Sequence, residues 1–156
     1  MRSLPIEKIR ERIATIYQHG IRNIRVLDRT FNYNNRHAKA LLGLFREFPD
    51  ICFHLEMHPA LLTEELKQEL KTMPAGLLHL EAGIQSLREE VLVTARRMGK
   101  LSDALEGLRF LCSLDNMETH ADLIAGLPLY HLEEIFEDIR TLASFRAGEI
   151  QLESLK

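Results

Sequence analysis

The fold is decided by a short alternating stretch, Ile51-Cys52-Phe53-His54-Leu55-Glu56-Met57, which stops at His58-Pro59. Positions two apart lie on the same face of a β-strand. The polar side chains His54 and Glu56 therefore share one face, and the apolar side chains between them share the other. This pattern predicts a strand with an apolar face that helices cover and a polar face that is turned toward something else.

Comparable alternation recurs along the chain, and apolar residues at helical spacing fill the intervals. The predicted strands lie at 23–27, 51–57, 77–82, 118–124 and 149–155. A first helix ends at Gly20, and the further predicted helices lie at 35–48, 63–72, 87–97, 102–114 and 132–145. Strands that alternate with helices form a parallel sheet with right-handed crossovers.

The polar faces of these strands favour a curled sheet over an open one. An open doubly wound sheet has helices on both faces, so its strands are nearly continuous apolar runs. In the third predicted strand, His79 and Glu81 instead share one face. In the fourth, His120 and Asp122 do so. Buried polar groups need partners or a ligand, and a ligand on a concave face meets that need. The alternative is that these residues only touch solvent at strand ends.

The length of the chain sets the size of the barrel. A complete eight-stranded barrel usually needs about 250 residues, whereas this chain has 156. The sequence therefore predicts one α/β domain at 1–156, a partial parallel (β/α) barrel of about five strands with intervening helices.

Composition narrows the range of functions and locations that we expect for this protein. The net charge of −3 and the lack of a basic run give no reason to expect a nucleic-acid partner. No segment is typical of a signal peptide or a membrane span, so we expect a cytoplasmic protein that does not bind membranes. Cys52 and Cys112 are far apart and match no disulfide or metal motif, which predicts two reduced thiols.

Three segments resemble barrel strands of radical S-adenosylmethionine (SAM) enzymes, and they follow that superfamily's order. Segment 53–59 resembles the third strand of enzymes such as oxygen-independent coproporphyrinogen III oxidase. Segment 81–86, with its Gly-x-Gln ending, is similar to the fourth strand, and segment 121–128 looks like the fifth. The set resembles in particular the Fe–S oxidoreductases that often carry a cobalamin-binding domain ahead of the barrel.

The resemblance implies SAM-binding roles for residues at the carboxyl ends of the strands. Carboxylates at Glu56 and Asp122 would accept hydrogen bonds from the ribose hydroxyls, and the planar guanidinium of Arg97 would bind the SAM carboxylate. Asp28 and Thr30 belong to the segment that would receive the SAM amino group. The complete predicted cofactor-binding set is Asp28, Thr30, Glu56, Gln85, Arg97, Asp122, Ile124 and Gly126.

Each of these roles has a structural alternative. Arg97 could be a solvated cation at a helix end, with Arg96 in its place. Gln85 could cap the following helix, and Glu56 and Asp122 could pair with histidines of the barrel instead of a ligand.

Radical SAM chemistry requires a [4Fe–4S] cluster on three cysteines, usually spaced Cys-x3-Cys-x2-Cys, and this sequence has no such motif. We therefore expect a fragment that comprises strands two to six of a barrel. Its parent would hold the cluster, could also use cobalamin, and would cleave SAM reductively to a 5′-deoxyadenosyl radical. The resemblance implies no catalytic residue and no metal ligand in this chain, which alone would be inactive. Its small-molecule substrate stays unknown.

Two other functions stay open at this point. One is a metal-dependent hydrolase on a partial barrel, whose ligands would be drawn from His54, Glu56, His58, His79, His120 and Asp122. The other is a non-catalytic module. Loss of the first strand of the barrel would leave the strand at 23–27 as an open edge, which predicts self-association.

Overall fold

The computed structural model describes residues 4–28 and 30–155. At its centre is a five-stranded parallel sheet in the order β1-β2-β3-β4-β5. The strands are β1 (Asn23–Arg25), β2 (Cys52–Met57), β3 (Leu78–Gln85), β4 (Glu118–Ala125) and β5 (Glu149–Ser154). The sheet curls into a half-barrel with helices between successive strands, which confirms the predicted α/β partial barrel.

Within the described residues, six α-helices accompany the sheet: α1 (Ile6–Gln18), α2 (Asn35–Phe45), α3 (Glu64–Lys71), α4 (Glu89–Thr94), α5 (Leu101–Cys112) and α6 (Leu132–Ala143). Side-chain caps fix two of the helix starts, because Asn34 accepts a hydrogen bond from the amide of His37 and Thr63 accepts one from Leu66. Among the described residues, no helix is long and apolar enough to cross a membrane.

Burial alternates along the central strands as the sequence predicts. The apolar face of β2, with Phe53 and Leu55, is buried in the core, and so is that of β3, with Leu80 and Ala82. The opposite face of both strands is only half-buried. One face of the sheet therefore packs against the helices, and the other is left to form a concave surface lined by polar side chains.

The structure corrects several predicted boundaries. β1 ends at Arg25 rather than at residue 27, and Leu27 is 89% exposed. Helix α2 ends at Phe45 instead of residue 48.

The largest correction is at α4, which stops at Thr94 although a helix was predicted to 97. Arg96 adopts a left-handed φ of 53°, its amide bonds the carbonyl of Val93, and the amide of Arg97 bonds the carbonyl of Leu92. These bonds form a Schellman motif, which ends a helix and turns the chain.

The strand register arranges the residues of the concave face in layers. The first layer consists of Arg25, His54, His79 and Glu118. The second consists of Glu56, Glu81, His120 and Glu149. The third consists of Gly83, Asp122 and Gln151. Carboxylates and imidazoles from four strands are thus brought side by side.

Candidate functional site

A cavity opens on the concave face toward the carboxyl ends of the strands, where ligands of parallel α/β sheets bind. Its volume is about 170 Å³, below the roughly 300–1,000 Å³ of a typical small-molecule site. The described residues therefore form an open wall rather than an enclosed pocket. The lining residues are Arg25, Thr30, Glu56, Met57, Glu81, Gly83, Gln85, Arg97, Asp122, Ile124 and Glu153.

Asp122 has a buried polar atom in this wall that lacks a hydrogen-bond partner among the described residues. That atom is Oδ1. Burial, with the carboxylates of Glu81 and Glu153 nearby, raises the pKa of Asp122 to about 6. A buried acceptor without a donor costs free energy, so this atom is suited to accept a hydrogen bond from a ligand.

The guanidinium of Arg25, which sequence reasoning missed, neutralises part of the negative charge of the wall. Arg25 Nη2 lies 2.6 Å from the carboxylate of Glu81 and 3.5 Å from that of Glu56. The contact with Glu81 is the tighter one, and Glu81 is only 12% exposed, whereas Glu56 is 41% exposed. Glu81 is therefore occupied within the protein, and Glu56 keeps an oxygen available to a ligand.

Arg97 lies against the wall of the cavity rather than in solvent. The Schellman turn after α4 directs its side chain onto β3, where Nη2 donates a 2.6 Å hydrogen bond to the carbonyl of Gly83. Its Nε atom is buried without a partner among the described residues. A Cβ atom at position 83 would lie 3.2 Å from Nη2, so glycine makes room for the guanidinium. The interpretation of Arg97 as a solvated helix-end cation is wrong.

Gln85 ends β3 in a strained conformation that neighbouring elements hold in place. Its φ is +70°, and a bulge shifts the register between β3 and β4 at this point. The next residues are fixed by Asp138 of α6, whose buried carboxylate accepts hydrogen bonds from the amide of Leu87, 2.8 Å, and from Arg88 Nε, 3.0 Å. Gln85 is itself strand rather than helix cap, and it lines the cavity.

The structure brings six of the eight predicted residues together. Those that line the cavity are Thr30, Glu56, Gln85, Arg97, Asp122 and Ile124. Asp28 and Gly126 do not line it. Gly126 is exposed with a φ of +90°, so the turn after β4 is enough to require glycine there.

Five further residues of the wall are absent from the predicted cofactor-binding set: Arg25, Met57, Glu81, Gly83 and Glu153. The inward phase of the strands was the available signal for Arg25, Glu81, Gly83 and Glu153, whereas Met57 lies in the apolar phase of β2 and carried no such signal. Glu153 lies two residues after Gln151 and therefore on the same face of β5, and Arg25 lies beside His54 of the neighbouring strand.

The chain does not offer a cluster site at this cavity. Cys52 begins β2, at the opposite end of the strands, and Cys112 ends α5; neither lines the cavity. Three thiolates are needed for a radical SAM [4Fe–4S] cluster, so the two cysteines of this sequence do not fit that group.

The ligand set of the alternative hydrolase is not assembled as one site. His54 and His79 stack with ring centroids 4.4 Å apart, and His120 meets the edge of His79. His58 is apart from them, since it is buried at 3% exposure beside the loop that carries Gly99. Asp122 faces the cavity.

Comparison with known proteins agrees with this architecture. Two solved structures of the radical SAM methyltransferase TsrM from Kitasatospora setae, one with cobalamin and a [4Fe-4S] cluster and one with tryptophan and aza-SAM, each match with a TM-score of 0.79 at 16% sequence identity. The match covers 96% of this chain but only 29% and 30% of those chains. No curated protein matches. The family model described as "Radical SAM superfamily" matches residues 1–142, and the chain therefore belongs to the radical SAM superfamily.

Proposed function

We propose that the concave wall of this chain binds SAM at the carboxyl ends of its strands. The observation that carries the proposal is the buried, unpartnered Oδ1 of Asp122 in a wall that also holds Glu56, Gln85 and Arg97. A ribose diol supplies the hydroxyl donors that Asp122 and Glu56 lack, and charged acceptors form the stronger hydrogen bonds.

The charge of the wall supports the same ligand. Four carboxylates (Glu56, Glu81, Asp122 and Glu153) face two guanidiniums (Arg25 and Arg97), so the wall attracts a cation. SAM has a positively charged sulfonium and an ammonium group against a single carboxylate. Arg97 would bind that carboxylate, while Thr30 and the segment around it would accept from the ammonium group. Ile124 offers an apolar surface to the adenine.

SAM supplies the sulfonium whose reductive cleavage yields a 5′-deoxyadenosyl radical in this superfamily. That cleavage needs a [4Fe–4S] cluster, for which this chain has too few cysteines. The proposal for this chain is therefore binding and orientation of SAM without turnover. A protein that joins it to a cluster-bearing segment would be the oxidoreductase, and its substrate, its use of cobalamin and a cytoplasmic location are parts of the same proposal.

Isothermal titration of the purified chain with SAM, in the presence of a chelator, tests the proposal. We expect one binding site. Asp122→Asn should weaken it by roughly tenfold or more, since about 1.4 kcal/mol corresponds to a factor of ten. The matched control is Asp103→Asn on the exposed side of α5. Arg97→Gln should also weaken SAM binding, and Arg96→Gln is its matched control.

The charge argument has its own test. S-adenosylhomocysteine has the same ribose, adenine and amino acid groups but no sulfonium charge, and we expect it to bind more weakly than SAM. No detectable heat with SAM at millimolar concentration would contradict the proposal and favour the non-catalytic module. Equal affinity for SAM in Asp122→Asn and wild type would contradict the site that the proposal assigns.

A further inference from the structure

A second polar cluster lies on the concave face, outside the cavity proposed for SAM. His79 and Glu118 belong to the first layer of this face, and His120 belongs to the second. One ligand atom from each of the three lies within 4.8 Å of the other two. These residues are at the amino-terminal ends of β3 and β4, whereas Asp122 lies two residues further along β4, about 7 Å away at a strand's rise per residue.

The two imidazoles cannot satisfy their contacts as neutral rings. His79 Nε2 is 3.2 Å from His120 Nδ1, which is also 3.1 Å from the Gln151 amide nitrogen. The remaining nitrogens each face a carboxylate: His79 Nδ1 is 3.5 Å from Glu118, and His120 Nε2 is 3.4 Å from Glu149. A neutral imidazole has one N–H and one lone pair. With His79 Nε2–H donated to His120 Nδ1, the Nδ1 lone pair of His79 faces Glu118. With both N–H groups directed to the carboxylates instead, the lone pairs of His79 Nε2 and His120 Nδ1 point at each other.

A metal cation between the rings resolves that conflict. Two nitrogens bound to a tetrahedral zinc ion at about 2.0–2.1 Å lie roughly 3.3 Å apart, and the observed separation of His79 Nε2 and His120 Nδ1 is 3.2 Å. In that arrangement His120 keeps its Nε2–H for Glu149, and its Nδ1 lone pair binds the ion in place of the Gln151 amide, which turns away. A carboxylate that accepts from the far nitrogen of a metal-bound histidine fixes the tautomer and orientation of the ring.

The surroundings also suit an exchangeable ion. His79 and His120 have side chains 14% and 13% exposed, so they are held in place without being sealed off. The ring of His54 stacks on His79 at 4.4 Å and restricts its rotation. A separate cavity at this end of the sheet, lined in part by Cys52, His79 and Glu118, gives an ion a path to the site.

We propose that His79, His120 and Glu118 bind a divalent transition-metal ion of the zinc type, with water completing its coordination. Imidazole and carboxylate ligands suit this class of ion. The ion joins the amino-terminal ends of β3 and β4, and through Glu149 it also orders the start of β5. This inference is independent of SAM binding.

Titration of the metal-free chain with zinc chloride alone tests the inference. We expect one zinc ion per chain and a higher thermal unfolding midpoint with zinc, because a ligand that binds only the folded state stabilises it. Glu149→Gln, which removes the orienting carboxylate, should weaken zinc binding by roughly 10–100-fold. His79→Gln and His120→Gln remove ligands and should weaken binding further. His19→Gln, at an exposed histidine after α1, is the matched control.

Two further measurements keep the inference open to refutation if a histidine variant fails to fold. Cobalt(II) added to the wild-type chain should give the intense visible absorption bands of a low-coordinate site rather than the weak bands of the hydrated ion. Asp122→Asn should retain zinc affinity, which separates this site from the SAM wall. Absence of zinc binding in the folded wild type, or zinc affinity that both histidine variants retain, would overturn the inference.

Discussion

The side-chain amide of Asn32 and the backbone of His58 form a reciprocal pair of hydrogen bonds, each 2.9 Å long. Asn32 Oδ1 accepts from the His58 amide, and Asn32 Nδ2 donates to the His58 carbonyl. Asn32 is 1% exposed. This pair joins the loop after β1 to the loop after β2, and it therefore holds Thr30 and Glu56 on the same side of the cavity.

Loss of this amide should destabilise the chain strongly. Asn32→Ala leaves a buried N–H and a buried C=O of His58 without partners, each at a cost of about 1–3 kcal/mol. We expect the free energy of unfolding in urea to fall by about 2–4 kcal/mol. Asn23→Ala, at an exposed asparagine of β1, should change it by no more than about 0.5 kcal/mol. Equally small changes in the free energy of unfolding of both variants would show that water replaces the Asn32 amide.

Asp138 holds the other flank of the site. Its buried carboxylate also accepts a 2.6 Å hydrogen bond from the hydroxyl of Tyr130, and burial together with that contact raises the pKa of Tyr130. Asp138→Ala should lower the free energy of unfolding by about 3 kcal/mol, because it leaves buried donors unpaired. Glu137→Ala, which removes only the exposed partner of Arg88, should cost about 0–1 kcal/mol. Urea unfolding of the two variants measures the difference.

Stability should depend on pH through His58. Burial and the nearby charge of Arg97 lower the pKa of His58 from 6.5 to about 4. At a pH between about 4 and 6.5, His58 is protonated in the unfolded chain but neutral in the folded chain. The free energy of unfolding therefore rises with pH in this range, and this contribution is lost as the pH falls from 6.5 toward 4. The loss is at most on the order of 3 kcal/mol, since one pKa unit is about 1.4 kcal/mol.

Denaturant titrations at several pH values measure this slope. In His58→Leu the group that titrates is absent, and we expect the change in unfolding free energy between pH 6.5 and 4 to shrink relative to the wild type. His19→Leu should leave it as it is in the wild type. A slope that survives in His58→Leu would assign the pH dependence to other groups.

The free edges of the sheet should cause self-association, as the sequence predicts for the β1 edge. On either side of β1 the carbonyl of Arg22 and the amide of Val26 bond β2, so the amide of Asn23 faces outward. Asn23→Pro removes that donor without breaking a bond to β2, and the apparent mass in light scattering should fall toward the monomer. Leu152→Pro tests the free edge of β5 in the same way. A monomer at every concentration, or an effect of Leu152→Pro alone, would contradict the prediction for β1.

Prediction from sequence succeeded where the signal is local. Alternation at 51–57 fixed which face of β2 is buried, and the turn residues located the carboxyl ends where the cavity lies. It failed at the end of α4, where the helical pattern continued to 97 but the chain turned at Arg96 through bonds to Val93 and Leu92. It also gave no sign that Arg25 reaches Glu81, which is on the third strand rather than the second.

The sequence by itself determined the alternating architecture, the polar phase of β2, β3 and β4 and the superfamily, because strand periodicity and short motifs are properties of neighbouring residues. Only the tertiary structure decided which polar groups meet. The pairs Asn32 with His58, Asp138 with Tyr130 and His79 with His120 depend on the register between strands and on the packing of loops and α6 against the sheet. Side chains that are far apart in the chain come within hydrogen-bond distance only when all of these elements are in place, so no local pattern encodes them.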